Sequence, residues 1–183
     1  MMNKITIISG SPNKKSRVNG LVDYAAKLLI DHGYEVSIIQ VATLPAEDVM
    51  YAHFGSKAIL EANAQVAEAT GIIIVSPVYK TTLTGLVKAY IDLLPQKGLE
   101  HKIVATYLVG GTISNLLSID YGVKLILASM GAHCFAKNVF AVDHQIERIE
   151  ENEDQIHFVL SEELKQRTEQ SVNDMINYRM MTV

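Results

Sequence analysis

At 183 residues, 49% of them apolar, the chain is long enough for one compact domain spanning 1–183 with a core of its own. Its net charge of −4 gives no cationic footprint for nucleic acid, and no apolar run approaches the ~20 residues that a membrane span needs. The single cysteine, Cys134, excludes an intramolecular disulfide framework, and the apolar run at 5–8 is too short for a secretion leader, so a reducing cytoplasmic setting is expected.

Lys4-Ile5-Thr6-Ile7-Ile8 reads as a short strand rich in β-branched residues. It runs into the polar turn Ser9-Gly10-Ser11-Pro12-Asn13-Lys14-Lys15-Ser16-Arg17, and then into a helix from about 18 to 29 with Leu21, Tyr24, Ala25, Leu28 and Leu29 on one face. A second strand at 36–39 is followed by a helix marked by Ile59, Ala62, Val66 and Ala69. A third strand at 72–75 leads to a helix carrying Leu83, Leu86, Val87, Tyr90, Ile91 and Leu94, closed by Pro95. A fourth strand at 103–108 precedes a long helix with Ile113, Leu116, Leu117, Val123, Ile126, Leu127 and Met130. A weaker fifth strand lies at 138–142. Residues 143–154, with Glu147, Glu150, Glu151, Glu153 and Asp154, read as an exposed acidic excursion. The last helix, about 161–179, opens on Ser161-Glu162-Glu163, a loose capping box, and carries Leu164, Val172, Met175 and Ile176.

The strand segments are apolar on consecutive positions rather than alternating, as in strands covered on both faces. Strict alternation with helices implies right-handed crossovers and an α/β, doubly wound, five-stranded parallel sheet in three layers, with the flavodoxin-like order 2-1-3-4-5. Ligands of such sheets sit at the carboxyl ends of the strands near the switch between strands 1 and 3. The loops 9–19, 76–85 and 109–115 are therefore the places to look.

The first loop offers hydroxyl and amide groups from Ser9, Ser11, Ser16 and Asn19, and the guanidinium fork of Arg17, all suited to a phosphate at a helix start. The same composition also suits an ordinary capped turn. Neither G-x-x-x-x-G-K-[ST] nor G-x-G-x-x-G is present, so a monophosphate is favoured over a nucleoside triphosphate or a dinucleotide fingerprint. In the second loop, Pro77 stiffens the strand exit, and Tyr79 stands where an aromatic ring covers a planar ligand. In the third, Gly110-Gly111-Thr112 offers backbone N–H groups to a carbonyl-rich ring edge. Together the loops describe a monophosphate joined to a flat heterocycle, and FMN has that form. The histidines show no ligand-like spacing, so no metal site is expected.

Gly10-Ser11-Pro12 with Ser16-Arg17-Val18-Asn19, then Pro77-Val78-Tyr79 followed by Gly85 and Lys88, resemble the NAD(P)H-dependent FMN reductases of flavodoxin-like fold. Gly110-Gly111-Thr112, Leu116-Leu117, Asp120-Tyr121 and Lys124 are most similar to the FMN reductases that serve two-component alkanesulfonate monooxygenases. Leu93-Leu94-Pro95 and Val139-Phe140-Ala141 extend the likeness, which covers roughly residues 3–142. The chain departs from the family at Val18 and Gly20, where hydroxyl residues stand in the family pattern.

The resemblance implies FMN as cofactor or substrate and NADPH or NADH as hydride donor. It assigns flavin contacts to Ser9, Ser11, Ser16, Arg17, Asn19, Pro77, Val78, Tyr79, Lys80, Gly110, Gly111 and Thr112. It gives Tyr121 the place of a π-bulge at a subunit interface near the flavin, although apolar positions 113, 116, 119, 123, 126 and 130 run at ordinary helical spacing. Hydride transfer between two rings requires no side-chain acid, base or nucleophile, so no catalytic residue is expected. A homodimer or homotetramer is implied, with a flavin-dependent monooxygenase as the partner that receives reduced FMN. An FMN-containing quinone or azo reductase on the same scaffold is the alternative. A flavodoxin-like electron carrier is a further one, opposed by the absence of that class's compact Thr/Ser-Gly phosphate loop.

Overall fold

The computed structural model describes residues 3–152 and 155–182, with side chains through Tyr178. Its centre is a parallel sheet of β1 (Lys4–Ser9), β2 (Glu35–Gln40), β3 (Gly71–Pro77), β4 (Ile103–Gly110), β5 (Cys134–Phe135) and β6 (Val139–Val142). The order is β2-β1-β3-β4, with β5 and β6 both pairing the far side of β4. This is the expected 2-1-3-4-5 order with its fifth place shared by two short strands. β5 meets β4 at Ile103 and Val104, and β6 meets it from Tyr107 to Gly110.

Burial explains why consecutive apolar residues are needed. Every residue of β3 and β4 is buried. Odd-numbered positions Ile5, Ile7, Ile73, Val75, Ala105 and Tyr107 pack with α1 (Val18–Asp31) and α6 (Glu162–Thr182) through Leu21, Ala25, Leu29, Leu164 and Val172. Even-numbered Ile8, Ile72, Ile74, Val104 and Leu108 pack on the other face with α3 (Lys57–Glu68), α4 (Gly85–Ile91) and α5 (Lys124–Ser129). The two-residue side-chain period of a strand feeds both layers. A short α2 (Ala46–Met50), unmarked in the sequence pattern, bridges β2 and α3. Hydroxyls cap the helices where the chain enters them: Ser56 Oγ accepts from Ile59 N, Thr84 Oγ1 from Val87 N, and Ser161 Oγ from Leu164 N.

Three elements differ from the sequence expectation. α4 stops at Ile91, and Leu93 and Leu94 pack in turns before Pro95. The long helix expected over 113–130 is broken into a 3₁₀ turn (Ile113–Asn115), a π-helical turn (Ile119–Val123) and α5. The π turn absorbs an extra residue while Ile119, Val123 and Leu127 still face the sheet, which is why apolar spacing conceals it. The acidic segment is a β-hairpin, β7 (Ile146–Glu150) against β8 (Ile156–Leu160); Glu153 and Asp154 lie outside the described residues. Its charges mask an alternation in which Ile146, Phe158 and Leu160 turn to α1.

Tyr107 carries a buried hydroxyl with no well-formed hydrogen bond among the described residues, Ser171 being its polar neighbour. Burial pushes its phenol above the ordinary range, and it does the same to Tyr90. A raised phenol pKa leaves stability intact below the unfolded-chain value of about 10 and removes it as pH climbs from there toward the folded value. Tyr107→Phe is therefore expected to match or exceed the parent by about 1 kcal/mol at neutral pH. It should also lose stability less steeply above about pH 10. Urea unfolding at a series of pH values checks both.

Candidate functional site

At the carboxyl ends of β1, β3 and β4 lies a cleft of about 770 Å³, bounded by residues 12–18, 77–79 and 109–111, with Asp143, Arg148 and Ile156 closing one side. That volume suits a cofactor-sized guest.

The first wall is built by its own hydrogen bonds. Gly10 N donates to Val75 O at 2.8 Å and extends the β1–β3 ladder one residue. Ser11 Oγ donates to Asn13 O at 2.8 Å, and Asn19 Nδ2 donates to Asn13 O and Lys14 O at 3.1 and 3.0 Å. Ser9 Oγ accepts weakly from Ser11 N at 3.4 Å. Ser9, Ser11 and Asn19 thus hold the loop's shape and are not on the cleft wall, whereas Ser16 and Arg17 are. Arg17 occupies the N-cap of α1 with helical backbone, and no side chain caps the helix. In the first turn Asn19 N donates to Ser16 O and Gly20 N to Arg17 O, both at 3.1 Å, so what the helix start offers an outside acceptor is the positive end of its dipole.

The second wall is stiff. Ser76 Oγ accepts from Thr84 N at 3.1 Å and donates to Pro77 O at 2.8 Å, while Val78 N donates to Val109 O at 2.8 Å. Tyr79 and Thr82 exchange backbone hydrogen bonds around Lys80 and Thr81, whose φ values are +51° and +67°. Two side-chain-bearing residues in left-handed backbone, one of them β-branched, store strain at the edge of the cleft. Pro77, Val78 and Tyr79 line the cleft; Lys80 is exposed and does not.

The third wall presents almost no side chain. Gly110 is buried, and a Cβ there would lie 3.0 Å from Phe140 Cζ. Gly111 is exposed to the cleft with only Asp143 Oδ2, at 3.8 Å, near a notional Cβ. Thr112 turns away, its Oγ1 accepting from Ser114 N at 3.3 Å to start the 3₁₀ turn. Tyr121 stands in the π turn, 75% exposed, and is not part of the cleft wall.

One side of the cleft carries no sequence motif. The hairpin brings Arg148 and Ile156 to it. The period-two run Ile156-His157-Phe158-Val159-Leu160 was the available clue to that hairpin. Arg148 Nη1 donates to Lys15 O at 3.0 Å, Arg17 Nε donates to Ile146 O at 2.9 Å, and Lys15 Nζ meets Glu150 Oε2 at 2.8 Å. Lys15, with Arg148 beside it, holds the Glu150 carboxyl below the usual carboxylate range. The cleft therefore joins a cationic end to a wall built largely of glycine backbone. Among the described residues, no group of His, Cys, Asp and Glu comes together that would hold a metal ion, and no helix is long and apolar enough to cross a membrane.

Residues 3–147 match the sequence pattern of the family described as NADPH-dependent FMN reductase. This chain belongs to that family. An FMN reductase (NADPH) of Pseudomonas putida is 38% identical over 142 residues, spanning 78% of this chain and 72% of that one. An FMN reductase (NADPH) of Escherichia coli is 35% identical over 143 residues, spanning 78% and 75%. Among solved structures, the apo form of the NADH:FMN oxidoreductase EMOB superposes with a TM-score of 0.83 at 25% identity, covering 98% of this chain and 90% of that one. The present FMN reductase is thus an oxidoreductase that works with FMN and NADPH on a flavodoxin-like fold. Its family pattern ends at residue 147, so most of the hairpin, Arg148 included, lies beyond it.

Proposed function

We propose that the cleft takes FMN with its phosphate at the start of α1, on Ser16 and Arg17 and at the positive end of the helix dipole. The ring then lies between residues 77–79 and the Gly110–Gly111 backbone. The observation that carries this reading is that one cleft joins the uncapped helix start to a wall built largely of glycine backbone. Ser9, Ser11 and Asn19 support the phosphate indirectly, by fixing the loop. When bound, the flavin supplies the hydride acceptor, and the chain's residues bind, orient and shield it. Both reductase relatives are FMN reductases named for NADPH, which favours NADPH as the donor here.

FMN is proposed to leave after reduction and to serve a flavin-dependent monooxygenase in the cytoplasm. Ser11 donates its hydroxyl inside the loop and Ser9 lies off the cleft wall, so neither tightens the grip on a phosphate, which favours a guest that departs over one that stays. The protein is further proposed to self-associate, as a homodimer or homotetramer, through the exposed apolar face of Ile113, Leu116, Leu117, Tyr121 and Leu125. A second copy with the same face covers it symmetrically.

The test is an FMN titration of purified protein, followed by NADPH and NADH oxidation with and without added FMN. Turnover only with added FMN is expected. Absence of flavin binding would overturn the reading of the cleft, and tight FMN with turnover on a quinone or azo dye alone would transfer the protein to the alternative class. Tyr121→Ala is expected to shift the protein to a smaller species in sedimentation and to weaken FMN severalfold. Unchanged size and affinity together would refute the role given to Tyr121.

A further inference from the structure

The hairpin does more than close one side of the cleft. It seats on α1 at Gly20, where a Cβ would come 2.6 Å from Phe158 Cβ, so the two elements touch backbone to side chain without a spacer. From there β7 runs beside the phosphate loop, and the links Arg17–Ile146, Arg148–Lys15 and Lys15–Glu150 fasten the two together. Arg148 Nε faces Glu150 Oε1 at 2.7 Å, and Nη1 is on Lys15 O. Two points of attachment fix the guanidinium plane. Its Nη2 amino group has no acceptor among the described residues, while the side chain forms part of the cleft wall beside Lys14, Lys15 and Arg17. A guanidinium held at Nε and Nη1, with its Nη2 amino group left over beside a cleft, is preorganised to donate to an oxyanion at little further entropic cost.

We propose that Arg148 is a phosphomonoester-binding residue of this cleft, reaching a bound dianion from the hairpin side while Ser16 and Arg17 at the start of α1 reach it from the other. The inference rests on the reading of the cleft as the FMN and NADPH site. Two guests carry the required group: FMN at its 5′-phosphate and NADPH at its 2′-phosphate. Each has a natural control without it, riboflavin and NADH. Glu150 sets the strength of the contact, because its carboxylate competes for the same guanidinium and for Lys15.

The experiment compares Arg148→Gln, Arg148→Lys and Glu150→Gln with the parent. Flavin fluorescence gives the Kd for FMN and riboflavin, and steady-state rates give kcat/KM for NADPH and NADH. Arg148→Gln is expected to weaken FMN about tenfold with riboflavin unchanged, or to lower kcat/KM for NADPH about tenfold with NADH unchanged; either arm supports the proposal and identifies the guest. Arg148→Lys should recover part of the loss. Glu150→Gln should tighten the phosphorylated member of the same pair alone, and it decides the matter should Arg148→Gln fail to fold. Any result in which the phosphorylated and unphosphorylated members change together, or not at all, overturns the proposal and leaves Arg148 as a strut of the loop. A parent that binds no flavin would instead defeat the reading of the cleft, before any variant is compared.

Discussion

Replacing Gly10 by alanine is expected to cost about 3 kcal/mol of stability, and most of that cost should be recovered by shortening Val87. A Cβ on Gly10 would sit 2.0 Å from Val87 Cγ2, with Thr84 Oγ1 at 3.2 Å and Ser76 Oγ at 3.3 Å. The reason is space and not conformation, since Gly10 is not among the residues with positive φ. Val87 is fully buried on α4 and has nowhere to retreat. The helix must move outward, and that loosens the Ser76–Thr84 contact which pins the start of α4 to the end of β3. Overpacking of this kind costs about 1–3 kcal/mol, and a disturbed buried hydrogen bond adds a comparable amount. Val87→Ala alone should cost about 1–3 kcal/mol of lost burial and packing. Combined with Gly10→Ala it should cost less than either sum predicts, with a coupling of more than about 1 kcal/mol in the favourable direction. Urea unfolding of the four proteins measures the cycle. Strict additivity would show that the clash relaxes elsewhere.

The same junction shows what the sequence makes legible. Strands covered on both faces must be apolar at every position, and 5–8, 72–75 and 103–108 stand out for that reason; their order follows from alternation with helices. The interruption at Ile119–Val123 does not stand out. An inserted residue that bulges to solvent leaves the buried side chains on either side at their usual spacing, so an apolar period carries no trace of it. The hairpin at 146–160 is hidden for a different reason. Glu147, Glu150 and Glu151 dominate its composition, while the few side chains that seat it, Ile146, Phe158 and Leu160, are too sparse to register beside them.

Within the cleft, residue type led to the loops that line it but not to the atoms that face it. Ser9, Ser11, Ser16 and Asn19 are equivalent as a list of hydrogen-bonding groups. The chain path separates them: Ser11 and Asn19 donate to loop carbonyls, the usual competitor for short polar side chains, Ser9 accepts from Ser11 N off the wall, and Ser16 is left on the wall. Arg148 could not be found from a motif, because it reaches the phosphate loop only through the pairing of β7 with β8 and the close seat at Gly20.

Gly111 offers the sharpest test of where the flavin ring lies. A Cβ there approaches nothing closer than Asp143 Oδ2 at 3.8 Å, and the residue is exposed in the cleft wall with no positive φ to preserve. Gly111→Leu should therefore fold with a stability within about 0.5 kcal/mol of the parent. Its side chain would fill the space proposed for the ring, and FMN affinity should fall about 100-fold, with riboflavin affected equally because the phosphate end is untouched. Thr112→Leu is the matched control: the position is exposed, adjacent in sequence and off the wall, and its Oγ1 serves only the following turn. That variant should keep its flavin affinity within about threefold while losing about 1 kcal/mol for the missing cap. Equal loss in both variants would mean that the loop as a whole had shifted, and full FMN affinity in Gly111→Leu would place the ring elsewhere. The contrast between neighbouring residues, read with the FMN-to-riboflavin ratio, separates the two ends of one ligand: a steric block at the wall leaves that ratio unchanged, whereas the loss of a group that binds the FMN phosphate alters it.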